Sequence, residues 1–338
     1  MKTSKLLLIL ALIVSVLPGI ALAQTKVIKY AHFQPAKLDQ PKQAAALAFK
    51  NYVEAASKGS LKVEVYPASQ LGNDSATMEG LKMGTIEMAV VHDGPISAVY
   101  KPFMVYAIPY LFDDQVMAWT VVDGPFGKEM ADDMTKKTGI RLFALADNGI
   151  RHFTNSKRPI KSPDDMKGLK MRVMTGPIWT KLVEPLGASP SPVPWTELPA
   201  ALQQGVVDGQ ENGVTNILAA SLYQSQKYIT LDGHVYSWHA YMMNDRFYNS
   251  LTPEQQKIVL KGVDIAKVIH RGMTAAQDLN APAILGTLGM EVTALSADQV
   301  AAFRTKSQPP VKAWVEEQIG KEWVDKLFAQ IDNYRKAK

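Results

Sequence analysis

The chain has 338 residues, enough for two compact domains, each with its own core. A composition 47% apolar and 20% charged excludes disordered or low-complexity character, and the absence of cysteine excludes disulfides, thiolate metal sites and cysteine nucleophiles. With 37 basic residues against 32 acidic ones, the charge is too small and too scattered to argue for a nucleic-acid partner.

Lys2 and Lys5 precede an apolar run from Leu6 to Leu17, and Ala21-Leu22-Ala23 follows with small residues spaced for signal peptidase. Residues 1–23 therefore read as a cleaved secretory signal, the apolar run being short for a membrane span; no other stretch reaches eighteen apolar residues. The mature protein is expected to be exported and not itself embedded in the membrane.

Lys26 to Ala31 alternates as a strand, Pro41 to Ser57 is helical with Gly59 as its stop, and Leu61 to Tyr66 alternates again. Asp74 or Ser75 caps a short helix closed by Gly84, and Ile86 to Val91 is a third strand. Strands joined by helices give a parallel sheet whose post-strand loops gather along one edge, where such sheets bind ligands. Those loops hold His32, Asp74, His92 and Asp93. Capping accounts for Asp74, whereas His32, His92 and Asp93 are either turn formers or ligand contacts.

Ile140 to Ala146 is a further strand, and Asn148-Gly149 is a turn or crossing point before Arg151. Met166 to Met174 follows, with Leu169, Met171 and Val173 alternating against Lys170 and Arg172, so an arginine stands near the carboxyl end of a strand. Gly176-Pro177 then opens a helix running to Leu186. A guanidinium beside a helix amino-terminus attracts an anion, and its planar fork matches a carboxylate; the alternative is an ordinary salt-bridged strand residue. Ser191 to Trp195 reads as extended, Thr196 to Gln204 as a helix closed by Gly205, Gly213 to Gln226 as helical and Tyr228 to Met243 as extended. His234 and His239, five apart in that segment, face opposite ways and make a poor shared metal site.

Thr252-Pro253-Glu254-Gln255 is a capping box that starts an apolar-periodic run with no clear breaker before Pro282. Ser296 caps another helix, and Val311 to Tyr334 is amphipathic, with Trp314 and Trp323 expected against a lobe. No Gly-x-Ser-x-Gly, His-Glu-x-x-His, metal-spaced histidine cluster or phosphate-cradling loop occurs, which weighs against a secreted enzyme acting on anionic substrates. No cofactor is implied.

Five stretches carry a resemblance. They are Tyr66-Pro67-Ala68-Ser69-Gln70-Leu71-Gly72, Ile108-Pro109-Tyr110-Leu111-Phe112, the run from Asp147 to Ser156 containing Asn148-Gly149-Ile150-Arg151, Gly168-Leu169-Lys170-Met171-Arg172-Val173, and Pro194-Trp195-Thr196-Glu197 leading into Asp208-Gly209-Gln210-Glu211-Asn212. In this order they resemble the periplasmic solute-binding subunits of TRAP (tripartite ATP-independent periplasmic) transporters. The resemblance implies an α/β, two-lobed clamshell with a ligand cleft between the lobes and one long helix spanning both. One lobe comprises residues 24–148 plus about 238–277, the other 149–237 plus about 278–338. It further implies that Arg172 clamps a ligand carboxylate, that Arg151 helps it, that the Asn212 amide donates to the same carboxylate, and that Trp195, replacing a more usual phenylalanine, packs on the ligand body. Glu211 and Asp208 would orient the arginines, because acidic groups beside a carboxylate repel it. Trp179 joins Trp195 in the apolar wall. The implied partners are a small carboxylate and the small and large membrane subunits of an ion-driven carrier. Sugar acids and hydroxy, oxo or aromatic monocarboxylates come first as ligands, with four-carbon dicarboxylates the alternative; service to a signalling receptor would look the same at the binding site.

Overall fold

A computed structural model describes residues 25–338, so the signal assigned to residues 1–23 lies outside the described residues. The chain opens with β1 (Lys26–Ala31), α1 (Pro41–Ala56), β2 (Leu61–Tyr66), α2 (Asp74–Met83) and β3 (Met88–His92), and β1 pairs in parallel with both β2 and β3. All five residues of β3, Met-Ala-Val-Val-His, are buried, as a strand covered on both faces requires. The third strand thus starts at Met88, two residues later than its apolar run suggests, since Ile86 belongs to the turn after Gly84. The cap of α2 is Asn73, whose side chain accepts from the Ala76 N–H, so Asp74 is left for another partner.

Helices α3 (Asp93–Val99), α4 (Gln115–Asp123) and α5 (Pro125–Thr138) lead to β4 (Ile140–Asn155), far longer than the alternation of Ile140 to Ala146 indicates. After β5 (Lys170–Val173) come α6 (Pro177–Val183), β6 (Ser189–Pro192), α7 (Leu198–Gln203), β7 (Gly209–Gly213), α8 (Val214–Ala219) and the 17-residue β8 (Tyr228–Asn244). The long run expected from Met166 is only the four residues of β5, because Pro163–Met166 closes into a 3-10 turn with its own Ser162–Asp165 capping box. Helix α9 (Asp245–Ser250) precedes α10 (Pro253–Thr287), and β9 (Glu291–Ala294), α11 (Ala297–Ile319) and α12 (Lys321–Ala337) complete the fold.

The nine strands of the described residues join one sheet in the order β2-β1-β3-β8-β4-β7-β5-β6, with β9 on β8. The long antiparallel pair β4 and β8 runs through both halves, so two α/β units share a single sheet and form a two-lobed clamshell. Midway along β4 the register breaks between Asp147 and Gly149, opposite Trp238 and Ser237, and Gly149 adopts φ +94°, which only glycine takes without strain.

Helix α10 extends through 35 residues, about 52 Å at 1.5 Å per residue, and crosses both units. Its Thr252–Gln255 capping box forms as the sequence indicates. Pro282 does not end it. Ala281 and Leu285 are buried in the cluster with Leu198, Ile217 and Ile229, and that packing offsets the hydrogen bond proline removes. Nearer its start, Val259 and Val263 pack on Phe49 and Val53 of α1. The carboxyl-terminal region is two helices broken at Gly320, and Trp314 and Trp323 both pack, half-buried, on the largest core. α11 lies against α6 and α12 against α4 and α5, so the terminal helices touch elements of both units.

Candidate functional site

Where the two units face each other, their backbones nearly touch. A Cβ on Gly176, at the start of α6, would fall 2.5 Å from Gly94 O, and one on Gly94 would fall 2.6 Å from Thr175 O. Side chains bridge the same gap: Gln34 Nε2 donates to Asn216 Oδ1 (2.7 Å) and Thr175 Oγ1 to Asp74 Oδ2 (3.4 Å). The cleft is therefore closed. A narrow cavity remains between the two walls.

Arg172 and Asn212 stand on one wall, Lys42, Gln34 and His92 on the other, with Trp195, Phe33 and Met174 supplying apolar surface. Arg172 projects from β5 and is 1% exposed. Its Nε donates to Val193 O (2.8 Å), which fixes the plane of the group, while both terminal nitrogens are buried without a hydrogen-bond partner among the described residues. Burial lowers its pKa to about 10, with Glu211 and Asp74 opposing and Arg151 adding. A buried guanidinium with its fork unpaired is unfavourable, and a carboxylate bound to both nitrogens would relieve it.

Asn212, on β7, is held in one orientation. Its Oδ1 accepts from Arg151 Nη1 (3.2 Å), from Asn216 Nδ2 (2.9 Å) and from the Gly213 N–H (3.1 Å). Two of those donors cannot be acceptors, so the amide must present oxygen to them and its Nδ2 hydrogens to the cavity.

Arg151 does not line the cavity. It is fully buried, donates to both carboxylate oxygens and the carbonyl of Glu211, and lies 5.2 Å from the Trp179 ring. The physical reason is charge: Glu211 is the nearest anion and is itself buried, so the two neutralise each other behind the wall. Burial alone would raise the Glu211 pKa, but Arg151 and His234 hold it down at about 2. Glu211 is thus the orienting partner its sequence context suggests, while Asp208 faces Lys157 and the Lys170 N–H. Trp179 is core, stacked behind Arg151 and not in the cavity wall.

His32 and Asp93 also fall behind the wall. His32 Nε2 bonds Gln43 Oε1 (2.8 Å), and burial lowers its pKa to about 4. Asp93 accepts from Ser237 Oγ (3.0 Å) and the Trp238 N–H (3.2 Å), tying α3 to β8. His92 does reach the cavity; its Nε2 pairs with Asp74 Oδ2 (3.1 Å), the contact that replaces the capping role expected of Asp74. Trp195 stands half-buried between the cavity and a more open recess beside Ala68 and Pro199. His234 and His239 diverge as expected: one meets Asp232 and Glu211, the other Lys42.

Sequence reasoning missed Lys42, Gln34, Asn148 and Asn216. Lys42 is 5% exposed and its Nζ bonds His239 Nε2 (3.0 Å) and Asn216 Oδ1 (3.4 Å). Burial, reinforced by the charge of Arg151, pulls its pKa well down. One signal was available: Lys42 follows Pro41 in the first turn of α1, where a cation opposes the helix dipole. Asn148 and Asn216 carry no such mark, because their roles come from the register break that brings them together. Among the described residues, no group of three or more metal-ligating side chains is placed to hold a metal ion, and no helix is long and apolar enough to cross a membrane.

Residues 31–318 match the family described as bacterial extracellular solute-binding protein, family 7. A solute-binding protein of Verminephrobacter eiseniae is 34% identical over 280 residues, 82% of either chain. The C4-dicarboxylate-binding periplasmic protein DctP of Rhodobacter capsulatus is 31% identical over 90% of either chain. Among solved structures, the sugar acid binding protein of Advenella mimigardefordensis in complex with galactonate superposes with a TM-score of 0.87 at 29% identity, covering 92% of this chain and 99% of that one.

Proposed function

The chain belongs to the bacterial extracellular solute-binding proteins of family 7, the TRAP solute-binding proteins, and from that premise we propose that it captures a small organic acid in the periplasm and delivers it to TRAP membrane subunits. Residues 1–23 would be removed on export, and the lobes would hinge at the register break, with residues 24–148 and about 238–277 on one side and 149–237 and about 278–338 on the other. The observation that carries this reading is the Arg172 guanidinium, 1% exposed with its two terminal nitrogens unpaired.

The ligand carboxylate takes those two nitrogens and the Asn212 amide, while Arg151 and Glu211 act on Asn212 from behind. Both charges lose hydration on closure, so binding is favourable only where donors complete the shell. Contacts made by both lobes bias the clamshell towards its closed form, by no more than the ligand's differential affinity for the two forms. The closed form is then what the membrane subunits engage.

Sugar acids and hydroxy or oxo acids are the first candidates, in keeping with the galactonate held by the Advenella protein. Four-carbon dicarboxylates are the second reading, favoured by Lys42, another buried cation in the same cavity. The experiment is calorimetry on Arg172→Lys: a loss of at least about tenfold in affinity is expected, because an ammonium cannot reproduce the fork. Wild-type affinity would refute the assignment.

A further inference from the structure

The cavity carries polar atoms that the carboxylate clamp does not use. Gln34 and Lys42 share one acceptor, Asn216 Oδ1, reached by Gln34 Nε2 at 2.7 Å and Lys42 Nζ at 3.4 Å. They are therefore neighbours, and both line the cavity. The orientation of Gln34 follows from a chain of fixed groups. Asn216 Nδ2 donates to the backbone carbonyl of Asn148 (3.1 Å), which can only accept, so Asn216 must present Oδ1 to Gln34. Gln34 must answer with Nε2, and its Oε1 is left buried and without a partner among the described residues.

Lys42 is fixed in the same way. His239 Nδ1 faces the Asp147 carbonyl (3.3 Å), so it carries the ring proton, and Nε2 offers its lone pair to Lys42 Nζ (3.0 Å). Two of the ammonium's three hydrogens are thus engaged, by His239 and Asn216. No carboxylate forms an ion pair with Lys42 among the described residues. One donor remains on Lys42 beside one acceptor on Gln34.

We propose that Gln34 and Lys42 form a hydroxyl-reading pair that makes this protein select hydroxylated monocarboxylates over dicarboxylates. The proposal rests on the carboxylate reading of Arg172 and assigns the other end of the same ligand. A hydroxyl donates to Gln34 Oε1 and accepts from Lys42, completing both. A second carboxylate, ionised at neutral pH, only accepts; it satisfies Lys42 and sets an anionic oxygen against Gln34 Oε1, leaving that atom unpaired. An unsubstituted alkyl chain satisfies neither. The second buried cation therefore does not by itself call for a second anion.

The test is calorimetry on residues 24–338 with three acids of four carbons, erythronate, succinate and butyrate, and with galactonate as a longer hydroxy acid, on wild type, Gln34→Leu, Lys42→Met and Arg172→Ala. Wild type is expected to bind the better hydroxy acid at least about tenfold more tightly than succinate and butyrate, a preference that one satisfied buried hydrogen-bond pair supports. Gln34→Leu should remove most of that preference, read as the ratio of affinities because loss of the Gln34–Asn216 bond across the cleft weakens closure for every acid alike, and Lys42→Met should do the same, which guards against one variant misfolding. Succinate binding as tightly as the hydroxy acids, or a preference unchanged in both variants, overturns the proposal. Failure of the carboxylate reading is distinct: Arg172→Ala would then bind all four acids as wild type does, or no acid would bind at all, and the proposal falls with it.

Discussion

Gly94→Ala should hold the clamshell open. In the closed form the added methyl would lie 2.6 Å from Thr175 O and 3.0 Å from Met174 Cβ, both across the cleft, and 3.2 Å from His92 Nδ1 on its own side. Backbone oxygen cannot swing aside as a long side chain can, so the lobes must part by several tenths of an ångström or strain locally. Overpacking of this kind costs about 1–3 kcal/mol, and because the open form has no such contact, the cost falls on closure alone. Affinity for galactonate or erythronate should therefore drop by about 5- to 150-fold in calorimetry, while the ligand-free melting temperature stays near wild type. Wild-type affinity in Gly94→Ala would refute the claim that ligand binding requires this closed arrangement. A large fall in ligand-free stability would show that Gly94 serves the fold of its own lobe instead.

Three further outcomes follow from the buried charges. His234 sits between Asp232 and Glu211; burial alone would lower its pKa, but those carboxylates raise it from 6.5 to about 9. Its contribution to stability is full below pH 6.5 and lost as pH rises through 9, so His234→Gln should flatten the alkaline fall of the melting temperature across that window. Glu211, with its pKa lowered from 4.5 to about 2, contributes above pH 4.5 and loses that contribution as pH falls through 2, so Glu211→Gln should destabilise strongly at pH 6 and much less at pH 2, as read by thermal unfolding. Asp278, on α10 beside Gly149, is buried with neither carboxylate oxygen in a hydrogen bond of normal geometry. Burial, with the charge of Asp147 adding and the Ile150 backbone opposing, raises its pKa to about 7. Its stabilising contribution is present below pH 3.8 and lost as pH rises through 7, so Asp278→Asn should be more stable than wild type at pH 8, by on the order of a few kcal/mol, and little different at pH 3.

The repeated α/β organisation was legible because strands β1 to β3 and the intervening helices carry clean periodicity and clear stops, and α10 because a capping box announces it. The wall of the cavity that carries Arg172 and Asn212 was legible too: Arg172 follows from strand alternation and the Gly176-Pro177 helix start, and the family's motifs point to Asn212. What sequence could not give is which of two arginines reaches the cavity. Arg151 and Arg172 look equivalent until the antiparallel pairing of β4 with β7, in which Arg151 meets Gly213, brings Glu211 against one of them. The second wall is illegible for a similar reason. Gln34, Lys42 and Asn216 are separated by up to 182 residues and form one cluster only where the two units meet. Pro282 misled in the opposite direction, since the packing of Ala281 and Leu285 outweighs a local preference that a single sequence displays prominently.

The central claim, that a buried arginine fork binds an organic acid, is tested most directly by thermal shift of residues 24–338 with sugar acids, 2-oxo and 2-hydroxy acids, dicarboxylates and aromatic acids, on wild type and on Arg172→Ala side by side. A ligand at about one hundred times its dissociation constant adds about 2.7 kcal/mol, a rise of a few degrees for a chain of this size. The account predicts such a rise for one chemical series in wild type and none for that series in Arg172→Ala. An equal rise in both proteins, or no rise with any acid, would contradict it.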